Sequence, residues 1–254
     1  MAIAEHALKV GHGPHASRTM MLPEIERLFE ENPAESSAAA YREAIVAENV
    51  LGKATAASRQ RVFRCLRELY ALDPRDVAFR GLRFLWEQNV SSRPLLALLI
   101  VLRRDKLLRV TAPIIFGKPE GAPVSAGELS AVLATEFEGL SQDLIDKIGR
   151  YTASTWTQSG HVRGRVNKTR AKAECTAPIA AYATFLGHLD GVGGPALFET
   201  IYARACDRSP YALRELAYEA SQWGLIEYRE IGTVLELSFR RLLDPNLLDG
   251  TVAA

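Results

Sequence analysis

The chain has 254 residues, of which 48% are hydrophobic and 24% charged, and a formal net charge of +1. Such a composition describes a globular chain with a proper core, long enough for one large domain or two ordinary ones. Near-neutral charge excludes a global attraction to polyanions, so any nucleic-acid site has to be a local patch. Cys65, Cys175 and Cys206 are far apart and show no CxxC spacing, as expected of small core residues in a reducing, cytoplasmic compartment. The first twenty residues lack the apolar stretch of a signal peptide. The longest apolar run, Leu95–Leu102, is well short of the ~20 residues that span a bilayer.

In chain order, residues 1–20 are small, polar and rich in Gly and His, the composition of a mobile arm. His12 and His15 lack a third nearby ligand, which argues against a metal site. Pro23 opens a helix through Phe29, and Ser36 or Ser37 caps a second that carries Tyr41, Ala44 and Ile45. Thr55 caps a third helix through Leu72, with Val62, Leu66, Leu69 and Tyr70 on its buried face. Asp73-Pro74 starts a fourth helix, ending near Gln88, and Ser92 with Pro94 opens the buried helix through Arg104. Helical signals continue as far as Arg109. The Pro/Gly-rich stretch 117–124 reads as a linker, so the chain divides into an N-terminal helical lobe, 21–116, and a C-terminal lobe, 125–254.

Ser125 and Glu128 form a capping box for the next helix, and Ser141 starts another that contains Ile145, Ile148 and Trp156. Residues 159–172 break the pattern. Pro178 and Pro195 open two more helices, separated by Gly191, Gly193 and Gly194. Ser209-Pro210 then caps a helix through Trp223 with Leu213, Leu216, Ala217 and Ala220 on one face. Gly224 stops it. Leu225–Ile231 and Thr233–Phe239 read as two strands around Gly232. Helix, turn, helix and hairpin is the order of a winged helix. The fold class is therefore mainly α, with a helix-turn-helix-like N-terminal part and a winged-helix-like end.

Three features bear on function. The segment 161–172 carries Arg163, Arg165, Lys168, Arg170 and Lys172 and no acid; it reads either as a phosphate-facing loop or ribbon or as a solvated loop. The Thr55 helix presents Arg59, Arg61, Arg64 and Arg67 outward, following a short Gly52-Lys53-Ala54 turn in helix-turn-helix order. An Arg-rich surface helix paired with Glu43, Glu48 and Glu68 is its competing explanation. The Tyr211 helix exposes Glu215 and Glu219, and the wing sets Arg229 against Glu227, Glu230 and Glu236. Those carboxylates discourage phosphate approach. No P-loop, nucleophile elbow or metal-ligand array is present, which leaves no support for catalysis, a cofactor or a small-molecule substrate.

Asn49–Lys53 (NVLGK), Thr55–Arg59 (TAASR), Arg67–Tyr70 (RELY) and Trp156–Gly160 (WTQSG) resemble the BrxA family of BREX phage-defence systems. So do Leu216–Ile226 and Gly232–Leu242, and the resemblance spans roughly 22–242. It implies a non-enzymatic, helical protein that binds double-stranded DNA and works beside other BREX subunits. The family has also been compared with the RNA-binding antitermination factor NusB, although no motif here singles out RNA. On this reading Arg59, Arg61 and Arg64 join Arg163, Arg165, Lys168, Arg170 and Lys172 in a basic groove for the phosphate backbone. A protein-interaction scaffold of the same system, favoured if Trp86, Tyr211 or Trp223 are exposed together, is the first alternative; RNA binding and a regulator reading an operator through the Tyr211 helix are the others.

Overall fold

Local capping sets most of the helix boundaries. In the computed structural model, which describes residues 13–232 and 234–249, α1 spans Leu22–Glu31 with Pro23 in its first turn. The second helix, α2 (Ala38–Val46), is capped by Ser37, whose hydroxyl accepts from the Ala40 amide. Thr55 does the same for α3 (Ala56–Tyr70) through the Ser58 amide. The next helix, α4 (Val77–Trp86), starts later than Asp73-Pro74 suggests. Asp73 instead closes a turn on Arg75, and Asp76 supplies the capping carboxylate for Phe79.

The apolar run forms the middle of α5 (Arg93–Arg104), where Leu95 to Leu102 are at most 2% exposed. It packs against α3, α4 and the later α9, so its whole circumference meets protein. Among the described residues no helix is long and apolar enough to cross a membrane. Beyond it the helical run does not end at Arg109. A further helix, α6 (Lys106–Gly117), follows at once because Asp105 caps it through the Leu107 amide, and Pro113 is accommodated inside.

The capping box at Ser125 and Glu128 opens α7 (Ala126–Glu136), which packs against α8 (Gln142–Gln158). A hairpin of two very short strands follows, β1 (Val162–Arg163) and β2 (Thr169–Arg170). Residues 121–124 lie alongside it: the Gly121 and Val124 amides donate to the Arg170 and Lys168 carbonyls at 2.8 and 2.9 Å. The stretch expected as a linker is thus hydrogen-bonded to the hairpin. Helix α9 (Ala177–Leu189) is buried from Ala177 to Gly187 and packs on α4 and α5. One continuous buried cluster runs from Met20 to Leu248 and takes residues from both sides of 117–124.

At the C-terminal end, a 3-10 turn at Gly194–Glu199 and α10 (Ile201–Ala205) lead to α11 (Pro210–Gln222), capped by Ser209. Gly224, at φ +67°, ends that helix in the left-handed region that favours glycine. Strands β3 (Glu227–Ile231) and β4 (Val234–Ser238) pair antiparallel, with Tyr228 opposite Leu237 and Glu230 opposite Leu235. Thr233, expected to begin the second strand, lies outside the described residues. A short helix, α12 (Arg240–Leu243), follows. The fold is mainly α with a C-terminal β-hairpin, an arrangement compatible with helix-turn-helix or winged-helix use.

Most of the expected N-terminal arm, including His12, lies outside the described residues, but its last part is packed. His15 is fully buried. Its Nδ1 meets Asp105 Oδ2 at 2.7 Å, its Nε2 meets Thr155 Oγ1 at 2.8 Å, and its amide also donates to Asp105. Further along, the Met20 amide donates to Thr155, and the Tyr70 hydroxyl donates to the Met20 carbonyl. Residues 13–21 therefore form a strap joining α3, α6 and α8. Burial pushes the Asp105 carboxyl up, but the charge and hydrogen bonds of His15 outweigh it and hold the group below the usual range.

Asp105→Asn keeps the shape and removes the charge that the strap and the α6 cap share. It is expected to cost about 2–4 kcal/mol in urea unfolding and to make 13–21 sensitive to limited proteolysis. An unchanged unfolding midpoint would mean that the strap contributes little to stability.

Candidate nucleic-acid interface

The basic hairpin divides its cations between two faces because strand side chains alternate. Val162 is opposite Arg170, and Arg163 is opposite Thr169. Val162 is buried, so its cross-strand neighbour Arg170 points inward too, at 5% exposure. Arg163 projects to solvent on the other face. The turn between the strands needs Gly164, which sits at φ +96° and whose added Cβ would come 2.3 Å from the Asn167 carbonyl oxygen. Only part of the run can therefore face a ligand.

Arg170 is the residue that departs most from the sequence expectation. Its Nε donates to the Ile115 carbonyl at 2.8 Å and its Nη1 to the His161 carbonyl at 3.1 Å. The guanidinium also grips Asp207 with both nitrogens, Nη1 to Oδ2 at 3.0 Å and Nη2 to Oδ1. Asp207 accepts in addition from the Ala173 amide. A buried carboxylate, 37 residues away in sequence, neutralises this cation and removes it from any phosphate-binding set.

His161 completes the buried layer. Its Nε2 lies 2.8 Å from the Ala205 carbonyl, which requires that nitrogen to be the donor, and its Nδ1 meets the Ser159 hydroxyl at 2.8 Å. Burial pushes the imidazole down to about 4, against the pull of Asp207 and the Ala205 carbonyl. Trp156 packs edge-on against the ring, with centroids 5.1 Å apart.

Outside this layer, the hairpin and α8 enclose an open cleft of about 550 Å³. Arg150, Ser154 and Thr157 line it from α8, and Arg165 and Lys168 from the hairpin. Among the described residues no carboxylate lines it. Lys168 is half-buried, its ammonium donating to Thr157 Oγ1 at 2.7 Å, and burial lowers its pKa. Arg150, Arg163, Arg165 and Lys172 are exposed. Three cations and the Ser154 hydroxyl around this concave surface suit an oxyanion such as a phosphate, whereas the Thr157 hydroxyl already donates to the Ala153 carbonyl. Sequence reading missed Arg150, although Arg150, Ser154 and Thr157 recur at i, i+4 and i+7 on one helical face. That spacing was the available signal.

The arginines of α3 divide as well. Arg59 donates from Nη1 to the carbonyls of Val46 and Ala47 at 2.9 and 3.3 Å, closing the C-terminal end of α2. It joins the two helices of the helix-turn-helix-like pair, with Gly52 at φ +62° between them. Arg61 and Arg64 are exposed, as is Arg67, which stacks over Phe63. Among the described residues none of these three forms an ion pair with Glu43, Glu48 or Glu68. No residue of α3 lines the hairpin cleft. Of the aromatic residues considered for partner contact, Trp86 is buried against Phe29, whereas Tyr211 and Trp223 are exposed.

No family model matches this sequence, and no curated protein matches it.

Arg170→Ala leaves Asp207 buried and unpaired, and should destabilise the chain by about 3–5 kcal/mol in chemical denaturation. Arg163→Ala, at an exposed position of the same hairpin, should stay within about 0.5 kcal/mol of the parent. Equal effects at the two sites would contradict the division of faces.

His161 generates a pH dependence with a defined direction. The folded chain holds the ring neutral down to about 4, whereas the unfolded chain protonates it near 6.5. Its contribution is therefore complete above pH 6.5 and is lost as pH falls toward 4, by about 3 kcal/mol in total. Urea midpoints measured across that window should fall less steeply in His161→Gln than in the parent.

Proposed function

We propose that this chain binds double-stranded DNA, mainly through the phosphate backbone, as an accessory protein that acts by binding rather than by catalysis. The observation that carries this reading is the acid-free cleft between α8 and the basic hairpin, with Arg150, Arg165 and Lys168 around it. Exposed Arg163 and Lys172 extend the positive surface along the hairpin. Arg61 and Arg64, at the accessible face of the second helix of the helix-turn-helix-like pair, offer a separate set of phosphate contacts. Arg170 is left out of the binding set because backbone carbonyls and Asp207 already engage it, and Arg59 because its Nη1 is held by the carbonyls at the end of α2.

Contacts of this kind position a duplex without reading its bases, so weak sequence preference follows. The resemblance to the BrxA family supports a role beside the other subunits of a BREX-type phage-defence system.

Affinity for a mixed-sequence duplex, measured by fluorescence anisotropy over a range of salt, should fall steeply with ionic strength. Replacing Arg150, Arg163 and Arg165 by alanine and Lys168 by glutamine should flatten the slope of log K against log salt by roughly 3. An unchanged slope in a folded variant removes the cleft from the mechanism. Preferential displacement by structured RNA would move the assignment from DNA to RNA.

A further inference from the structure

On the opposite kind of surface, α11 and β3 leave a trough of about 830 Å³ between them. One wall is a single face of α11, with Tyr211, Arg214, Glu215 and Tyr218 at i, i+3, i+4 and i+7. The other wall is formed by consecutive β3 residues, Tyr228 to Ile231. Consecutive strand residues point to alternate faces, so a cleft that touches all four runs along the edge of the strand. Among the described residues β3 pairs only with β4, and this edge therefore carries unpaired backbone amides and carbonyls.

The side chains around the edge define what it would accept. Tyr211 and Tyr218 are 71% and 54% exposed, and Tyr218 meets Tyr228 edge-on at 5.7 Å. Ile231, at the open end, is 80% exposed. Arg214 has its Nε buried without a hydrogen-bond partner, and its guanidinium lies over the Phe198 ring at 5.5 Å. No ion pair to Arg214 forms among the described residues. Glu230 is engaged by the Tyr228 hydroxyl at 2.7 Å. With Glu215 and Glu230 in the walls and Glu219 and Glu227 nearby, a polyphosphate backbone is disfavoured, while one carboxylate placed at Arg214 is favoured.

We propose that this trough is a strand-addition site for an extended segment of another protein. The incoming strand pairs with the free edge of β3, seats apolar side chains on Tyr211 and Tyr218, and brings one carboxylate to Arg214. Backbone pairing supplies affinity and the alternate side chains supply selectivity, the general logic of strand addition. This surface shares no lining residue with the basic cleft, so it neither requires nor excludes DNA binding.

The test is a random peptide library displayed on phage and selected on the intact chain, followed by anisotropy with the synthetic consensus peptide. Expected is an alternating apolar pattern with a single acidic position, and new hydrogen-exchange protection of β3 amides on binding. Tyr211→Ala, at a largely exposed position, should weaken the peptide by about tenfold or more while leaving the urea midpoint near that of the parent. Arg214→Met, which keeps the packing on Phe198, should abolish the preference for the acidic residue. The variant that flattens DNA salt dependence should bind the peptide as the parent does. Absence of an enriched pattern, protection confined to other elements, indifference to both substitutions, or displacement of the peptide by oligothymidylate would each overturn the proposal.

Discussion

A buried guanidinium–carboxylate pair governs where the exposed cations of the β1–β2 hairpin lie. Strands β1 and β2 have two residues each, far too few to hold a hairpin in place on their own. Arg170 supplies the missing anchorage by reaching the Ile115 and His161 carbonyls and clasping Asp207. Breaking such a pair strands a charge in a low-dielectric interior, which costs far more than any single surface contact contributes. The outward placement of Arg163 and Arg165 thus depends on an inward cation from the same basic run.

A second polar junction ties the ends of the core together in the same manner. Asp105 caps α6, accepts from the amide of His15 and binds its ring. His15 in turn reaches Thr155 of α8, whose hydroxyl also receives the Met20 amide. Between these two junctions lies the apolar α5, enclosed by α3, α4 and α9. Apolar burial provides the driving force, while the satisfied polar groups select one register of strap, helix and hairpin from many apolar packings.

The two recessed surfaces differ in chemistry. The hairpin cleft combines arginine, lysine and hydroxyl groups and, among the described residues, no carboxylate. The α11–β3 trough combines tyrosines with equal numbers of arginines and glutamates beside an unpaired strand edge. One favours dispersed negative charge, and the other favours an amphipathic chain with backbone groups to share. The exposed face of α11 carries Glu215 and Glu219 beside its tyrosines.

By itself the sequence determined what depends on neighbours within a few positions. Ser37, Thr55, Ser125, Ser141 and Ser209 are caps as their spacing predicts, Leu95–Leu102 is buried, and Gly224 and Gly232 flank β3. Helix caps, amphipathic periods and positive-φ turns are local energies, readable along a short stretch of chain. Tertiary structure alone decided which charges remain available. Arg59 and Arg165 look alike in sequence, yet one closes a neighbouring helix and the other faces an open cleft. Arg170 is cancelled by Asp207, and Arg150 lines a cleft only because the hairpin folds beside it. Charge availability depends on burial and on distant partners, so the physical reason is that electrostatic environment is set by three-dimensional neighbours, which local pattern does not encode.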